Sequence, residues 1–444
     1  MTHLPSAAAA DAAATDVAEL DTEALDAEAL DGADPLGHFR SRFLDPGPAL
    51  VAYLDGNSLG RPVADAGERL SEFIAGPWGD RLIRSWDEEW MELPFRVGDR
   101  LAEVCLGAAP GQTVVADSTS VLIYKLLRAA IAARPGRTEI IASREDFPTD
   151  RYLAQGVAEE TGSSVVWLEP RHDDGVSVDD VRAVLSERTS VVLLSHVAYR
   201  SGFLADAAAI TALAHEHGAL VIWDVCHSVG SVPLAFDDWG VDFGVGCTYK
   251  YLNGGPGSPA FAYVRADLQD DLQQPLPGWM GASDPFDMTE PYRAAPGMRR
   301  MLTGTPPVLA MQPLIGMLDL IAEAGMPAIR EKSIQLTERA IALSEKHLSP
   351  YGVRLASPRD ADRRGSHVTI DHPDFRAVTA HIWEQGVIPD FRPPDGIRLG
   401  LSPLSTSFAE LDAGVEAIRA ALEHGVGSGG AAAPDADEEL PTGG

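Results

Sequence analysis

The sequence predicts an α/β protein: a large, mainly parallel sheet domain followed by a smaller α+β domain. Three observations carry that prediction. First, strand-like and helix-like segments alternate between residues 120 and 265, with strands expected over 139–142, 164–168, 190–196, 219–224, 243–246 and 260–265, and helices over 120–133, 178–186 and 207–217. Such alternation implies parallel strands joined by helices that cover both faces of the sheet. Second, the texture changes at Pro307. Long helices are expected over 308–324 and 328–348, then short strands over 353–356 and 367–371, a helix over 375–385, an arginine-bearing apolar segment over 397–401, and a last helix over 408–423. Third, the residues with the most chemistry, Asp224 and Lys250, both fall just past expected strand ends, where ligands gather in such sheets.

The 444-residue chain has 45% hydrophobic and 7% aromatic residues, enough for two or three structural units with their own cores. Its formal charge of −31 is partly a property of the ends. Residues 1–35 hold nine acids and residues 426–444 four, with no Lys or Arg in either, which leaves about −18 for the body. An acidic body argues against a nucleic-acid partner, because phosphate binding needs a basic footprint. Apolar runs are strand-sized, and no cationic segment precedes an apolar one at the N-terminus, so neither a membrane span nor a secretory signal is expected and residence is expected to be cytoplasmic.

Four regions are expected: an acidic, disordered extension over 1–35, frayed helix at most; an N-terminal segment and large domain over 36–306; a small domain over 307–425; and a disordered acidic tail over 426–444. The three cysteines, Cys105, Cys226 and Cys247, form no CxxC pair, suit a reducing compartment, and read as small buried residues. His215 and His217 lie two apart on an expected helix and point to different sides, so no metal site is expected.

Cys247-Thr248-Tyr249-Lys250-Tyr251 is a polar run between an apolar strand and the glycine-rich Asn253-Gly254-Gly255-Pro256-Gly257. A lysine with small and apolar neighbours can be desolvated, which makes it nucleophilic. Asp224 closes the apolar run before it and His227 follows three residues later. Lysine and carboxylate together are what pyridoxal 5′-phosphate (PLP) requires: the lysine for a Schiff base, the carboxylate to keep the pyridine nitrogen protonated so that the ring accepts electrons. His227 belongs near the ring or the phosphate, or is a satisfied core histidine. Asp117-Ser118-Thr119-Ser120 precedes an apolar helix, and its hydroxyls and free N–H groups serve equally as an N-cap and as a phosphate cradle. In Asp146-Phe147-Pro148-Thr149-Asp150, turn chemistry is one reading; in the other, Phe147 stacks on a ring and Asp150 places a carboxylate near it. Arg398, in the apolar Gly396-Ile397-Arg398-Leu399-Gly400, needs a protein acid or a ligand carboxylate as its partner.

Together these segments resemble the kynureninases, within the fold-type I (aspartate aminotransferase-like) PLP-dependent transferase fold and its class V aminotransferase group. The resemblance runs from Tyr53-Leu54-Asp55-Gly56-Asn57-Ser58-Leu59-Gly60 through Trp78-Gly79-Asp80-Arg81-Leu82-Ile83-Arg84-Ser85-Trp86, Phe147-Pro148-Thr149-Asp150, Tyr249-Lys250-Tyr251-Leu252-Asn253 and Leu302-Thr303-Gly304-Thr305-Pro306-Pro307 to Arg398-Leu399-Gly400-Leu401-Ser402-Pro403-Leu404, nearly all but the ends. It implies hydrolytic β,γ carbon–carbon cleavage of L-kynurenine, or a ring-substituted kynurenine, to anthranilate and L-alanine. It implies Lys250 as the Schiff-base lysine and the carrier of the α-proton, and Asp224 on the pyridine nitrogen. Phe147, Pro148, Thr149 and Asp150 would surround the ring, Thr119, Ser120, His227 and Tyr249 the phosphate, with Ser195 at the cofactor. Trp279 and Thr305 are implied to come from a second subunit, hence a homodimer. Arg398 and Asn57 would bind the amino-acid substrate. Tyr249 is the candidate for proton transfer at the γ-carbonyl, if a cationic cofactor lowers its proton affinity.

Two positions depart from the family's pattern: Ala198 stands where an asparagine is expected and Ala282 where a histidine is expected. Both remove polar groups from the implied pocket and bear on which ring substituents are accepted. The alternative readings are another class V enzyme, an aminotransferase or lyase acting on a related amino acid, and a PLP-binding protein without turnover.

Overall fold

In the computed structural model the described residues are 26–288 and 290–427. Seven strands form the larger sheet, in the spatial order Thr113–Val115, Phe261–Val264, Phe243–Gly246, Leu220–Asp224, Thr189–Ser195, Glu139–Ser143, Ser164–Leu168. All neighbours pair in parallel except Phe261–Val264, which is antiparallel to both of its partners. Because side chains alternate along a strand, adjacent residues enter different cores. Val192, Leu194, Val221 and Trp223 pack into one apolar cluster, while Val191, Leu193, Leu220 and Ile222 pack into the cluster on the opposite face.

The smaller sheet has five strands, ordered Ala52–Leu54, Val387–Arg392, Gly396–Gly400, His367–Asp371, Arg354–Leu355. Only the pairing of Ala52–Leu54 with Val387–Arg392 is parallel. One face is apolar, with Val368, Ile370, Ile397 and Leu399 in a third core. The alternate residues face the large sheet's loops: Thr369 Oγ1 donates to the Arg200 carbonyl at 2.5 Å, and Arg398 Nη1 to the Tyr199 carbonyl at 2.6 Å.

The chain is divided differently from the linear scheme expected at Pro307. Leu314, Met317, Leu318 and Ile321, on the helix Gln312–Ala324, pack into a core of the large sheet, whereas Leu30, Ala52 and Leu54 belong to the core of the small one. The N-terminal extension is also ordered from residue 26. Asp26 caps the helix Ala27–Ala33, Leu30 is buried, Asp31 accepts the Phe408 and Ala409 N–H groups at 3.0 Å each, and Asp34 pairs with buried Lys332 at 2.7 Å. These acids are tied down by a helix N-terminus and a lysine remote in sequence. The expected disorder of residues 1–25 and 428–444 lies outside the described residues.

Other expected elements fall within a few residues of their positions, but several were missed, among them the strand Thr113–Val115 and the helices Ala66–Phe73 and Leu93–Leu101. The stretch read as a loop at 146–150 starts the helix Pro148–Thr161, with Pro148 in its first turn and Gly162, in the left-handed region, at its end. The strands Ala52–Leu54 and Val387–Arg392 are short, and each is stabilised by its distant partner. Among the described residues no single helix is long and apolar enough to cross a membrane.

Candidate active site

One cavity at the carboxyl ends of the large sheet's central strands is lined by Thr119, Ser120, Phe147, Thr149, Asp150, Ser195, Tyr199, Asp224, Cys226, His227, Tyr249 and Lys250. Ser195, Asp224 and Val245 are register neighbours at the ends of adjacent strands, so the topology brings the elements together. Pro148 starts its helix without lining the cavity. Trp279 and Thr305 are solvent-exposed and stand outside it, with the Trp279 ring 6.1 Å from that of Phe286.

Lys250 is 8% exposed, and its Nζ lies 3.0 Å from His227 Nε2. The rings of Phe147 and Tyr249 flank it at 5.9 and 5.8 Å. Two other lysines are buried, and they behave differently. Lys125 Nζ meets Asp117 at 2.7 Å and the Met301 carbonyl at 2.8 Å, and Lys332 has its ion pair with Asp34. Among the described residues Lys250 has no such ion pair, an arrangement that is costly for an ammonium group unless the site has another use for the amine.

The lysine loop is held from outside by the N-terminal segment. Gly60 N–H donates to the Tyr249 carbonyl at 2.9 Å, and Asn253, at φ 50°, donates its side-chain amide to the Arg61 carbonyl at 2.7 Å. A Cβ on Gly60 would come within 2.4 Å of the Lys250 carbonyl and of Asn253, so a glycine is required there. The segments Asn57-Ser58-Leu59-Gly60 and Tyr249-Lys250-Tyr251-Leu252-Asn253 are thus two sides of one contact.

Asp224 is buried, and its Oδ1 accepts the Cys226 N–H at 2.8 Å. Burial pushes the Asp150 carboxyl well above the usual carboxylate range, and the neighbouring Asp224 and Asp146 push it further. Burial likewise raises Asp146 to about 7, although it accepts the Ser143 and Ser195 N–H groups at 3.2 and 3.1 Å. Burial and then Lys250 hold the His227 imidazole well below its ordinary value. A neutral imidazole accepts at Nε2 from Lys250 and carries its proton on Nδ1, and among the described residues that atom has no partner; neither has Asp150 Oδ2.

These features test the fit to PLP. The carboxyls of Asp150 and Asp224 line the cavity, with buried Asp146 close to Asp150, and such a cluster suits a protonated pyridine ring. Thr119 and Ser120 open the helix Thr119–Ala132, whose first turn contains no acid, so a phosphate is accommodated. Phe147 stands at the lysine, where a ring would stack. The residues fit the group.

Tyr249 has its phenol shifted by its surroundings in the cofactor-free protein. Burial raises its phenol above the ordinary value, with Cys247 and Cys226 adding to the effect, so in this environment it is a proton donor rather than an easily ionised group. Arg398 also differs from a vacant receptor. It is fully buried; Nη2 lies 2.8 Å from Asp390 Oδ2 and 2.6 Å from Ser58 Oγ, and with the Asn57 amide oxygen turned toward it, Nε donates at 2.9 Å. Asn57 therefore stands beside Arg398, in a network already satisfied. Sequence reasoning missed Tyr199 and Cys226 as cavity residues. Cys226 sits between Asp224 and His227, and that position was its only signal. Ala198 lies in the turn before Tyr199, and Ala282 pairs with Ala294 in an isolated bridge outside the cavity. The two histidines of the 207–217 helix do diverge: His215 Nε2 meets Asp242 at 2.8 Å, and His217 Nδ1 meets the Leu213 carbonyl at 3.0 Å.

This architecture is shared with solved structures. A mutant of C-DES with glycine covalently linked to its PLP cofactor superposes with a TM-score of 0.76 at 19% identity, covering 86% of this chain and 98% of that one. The cysteine desulfurase CsdA from Escherichia coli superposes at 0.70 with 20% identity, covering 88% and 98%. Residues 112–233 match the DegT/DnrJ/EryC1/StrS aminotransferase family. The fold is therefore that of the fold-type I class, and its cavity is one that PLP fits. Residues 329–418 match the kynureninase C-terminal domain. The chain is 42% identical over 386 residues to a kynureninase of Pseudomonas fluorescens, covering 85% of this chain and 90% of that protein, and 41% identical to a kynureninase of Deinococcus radiodurans, covering 88% and 94%. The chain belongs to the kynureninase family.

Proposed function

We propose that the protein is a PLP-dependent hydrolase that cleaves the β,γ carbon–carbon bond of L-kynurenine, or of a ring-substituted kynurenine, releasing an anthranilate and L-alanine. Membership of the kynureninase family carries the reading, and the buried Lys250 without an ion pair, beside Asp224 and Asp150, supports it. When bound, PLP supplies a covalent attachment for the substrate amine and an electron sink.

Each residue then has a task at a stated atom. Lys250 Nζ anchors the cofactor and afterwards moves the substrate's α-proton; neutral His227, 3.0 Å away, keeps that amine oriented and accepts one of its hydrogens. Asp224 stabilises positive charge on the pyridine nitrogen, and Asp150 adds a second carboxyl that takes up or shares the proton. Thr119 and Ser120 hold phosphate at their helix N-terminus. Tyr249, with its phenol held protonated, donates toward the γ-carbonyl oxygen as water adds. Arg398 and Asn57 receive the α-carboxylate once one of the present partners of Arg398, such as Ser58, yields.

The protein is further assigned to the cytoplasm as a homodimer with Trp279 and Thr305 entering the partner's site. The exposed Trp78, Leu82, Ile83, Trp279, Phe286 and Met288 support a covered surface. Light scattering behind size exclusion checks this, a dimer mass being expected and a monomer contradicting it. For the activity, PLP-loaded protein is incubated with a panel of kynurenines and the products are followed by mass spectrometry. Equimolar alanine and aryl acid are expected. Absence of alanine from every kynurenine would overturn the proposal, and turnover that consumes an added α-keto acid would point to transamination instead.

A further inference from the structure

Two of the three cysteines meet at the active site. The parallel pairing of Leu220–Asp224 with Phe243–Gly246 aligns Ile222 with Phe243, Trp223 with Gly244 and Asp224 with Val245. The same offset, carried two residues past Asp224, sets Cys226 beside Cys247. The contact agrees: Cys247 N–H donates to Cys226 Sγ at 3.1 Å. Neighbouring strands run about 4.7–4.9 Å apart, within the Cα separation that a disulfide spans. Cys226 and Cys247 are 7% and 2% exposed, yet Cys226 forms part of the cavity wall, so a small molecule that enters the active site reaches the pair. Cys105 is as deeply buried, packs in an apolar core, and has neither cysteine near it in this way.

The pair is also polarised. Burial pushes the Cys247 thiol up, but the neighbouring Cys226 thiol and the proximity of Lys250 more than offset this, and its net shift is downward; the neighbouring Cys247 and burial drive Cys226 up. The Cys105 thiol, by contrast, is pushed up to about 12 by burial alone. Reactivity therefore concentrates on the pair.

We propose that Cys226 and Cys247 form a reversible oxidation site, a dithiol that a hydroperoxide converts to a disulfide across the strand ends bearing Asp224 and leading to Lys250, so that the active site is disabled until a thiol reductant reopens it. A thiolate of the pair attacks one peroxide oxygen, the O–O bond breaks, and a sulfenic acid forms with loss of hydroxide. The second sulfur displaces hydroxide from the sulfenic sulfur and the S–S bond forms. Two thiols lose two electrons and two protons, and one hydrogen peroxide becomes two waters. Activity falls because Cys226 N–H is held by Asp224 Oδ1 at 2.8 Å: drawing Cys226 toward Cys247 moves the carboxylate, and Cys247 lies three residues before Lys250.

The test uses the PLP-loaded, full-length protein, titrated with hydrogen peroxide, alkylated and digested for mass spectrometry. Three results are expected together: a cross-linked peptide pair containing Cys226 and Cys247, an activity loss of about tenfold or more that tracks the cross-linked fraction, and recovery of both with dithiothreitol. Cys226→Ala abolishes the cross-link and the reversible part of the inactivation, whereas Cys105→Ala leaves the cross-link in place. Alkylatable Cys226 and Cys247 after oxidation, or a complete cross-link with undiminished turnover, would overturn the proposal. The cross-link is read on the unsubstituted chain, so a variant that fails to fold does not remove the test.

Discussion

On the large-sheet wall of the site, among the described residues, the one hydrogen-bond partner of Lys250 Nζ is His227, and His227 Nδ1 and Asp150 Oδ2 have no partner, whereas on the small-sheet wall Arg398 is gripped at once by Asp390, Ser58, the Tyr199 carbonyl and Asn57. Each unsatisfied buried polar group costs ~1–3 kcal/mol, so the first wall is tolerable only where a resident group completes it. The second wall is not wholly satisfied either, since among the described residues both ring nitrogens of His367 have no partner, but Arg398 itself is held between turnovers, as a group whose ligand comes and goes must be. The difference separates cofactor from substrate: one wall is built around a permanent occupant, the other around a network that a visiting carboxylate has to enter.

The largest effect should come from the lysine. Lys250→Ala is expected to lower turnover by about 10³-fold or more, the scale of losing a nucleophile and proton carrier. Lys125→Met is the matching substitution on a paired lysine and should lower unfolding stability by ~3–5 kcal/mol instead, by leaving Asp117 alone. Turnover rates and urea unfolding of both variants settle it; equal effects on activity would erase the distinction between the two kinds of buried lysine.

Next is Asp224→Asn, which should cost about 10²- to 10⁴-fold in kcat/KM, equivalent to the ~3–5 kcal/mol of a broken buried charge pair, and should weaken cofactor retention on dialysis. Retention and rate that match the unsubstituted protein would remove Asp224 from the account.

His227 gives the large-sheet wall a pH signature in the cofactor-free protein. Its imidazole is held below the ordinary ~6.5 by burial and by Lys250, so the unfolded chain takes up the proton first as pH falls through that value. The stability this residue confers is present above about pH 6.5 and is lost below it at ~1.4 kcal/mol per pH unit. Asp150 works in the opposite sense, since its raised carboxyl is protonated in the folded state first and its contribution is lost as pH rises through its folded value. His227→Gln should therefore flatten the acid side of the stability profile measured by urea unfolding between pH 5 and 7. Parallel profiles would show that His227 is not held neutral.

The smallest effect probes the other wall. Ser58→Ala removes one of the partners of Arg398 and should reduce stability by ~1 kcal/mol, with little change in kcat. A large rise in KM would show Ser58 acting on substrate directly.

Much of the cofactor wall was legible because its residues sit in short local patterns: Asp224 and His227 on one strand end, Thr119 and Ser120 at a helix start, Phe147 to Asp150 at another, and Tyr249 with Lys250. Strand alternation then placed these ends side by side. What escaped was non-local. A three-residue strand such as Ala52–Leu54 carries no usable period; it exists because Val387–Arg392 pairs with it from the other end of the chain. The same holds for the saturation of Arg398, whose partners come from residues 57–58, 199 and 390. The helix Pro148–Thr161 could have been found from its N-terminal Pro and terminal Gly, but turn-forming residues at its start obscured it. Tyr249 shows the limit for electrostatics: the sequence supplies the phenol, while burial beside Cys247 sets its direction of shift.

Borohydride reduction of the PLP-loaded protein followed by peptide mapping addresses the role of Lys250 most directly. A pyridoxyl group on the peptide that contains Lys250, with Lys125 and Lys332 unmodified, is the expected result. A pyridoxyl group on either of the paired lysines, or on none of the three, would contradict it.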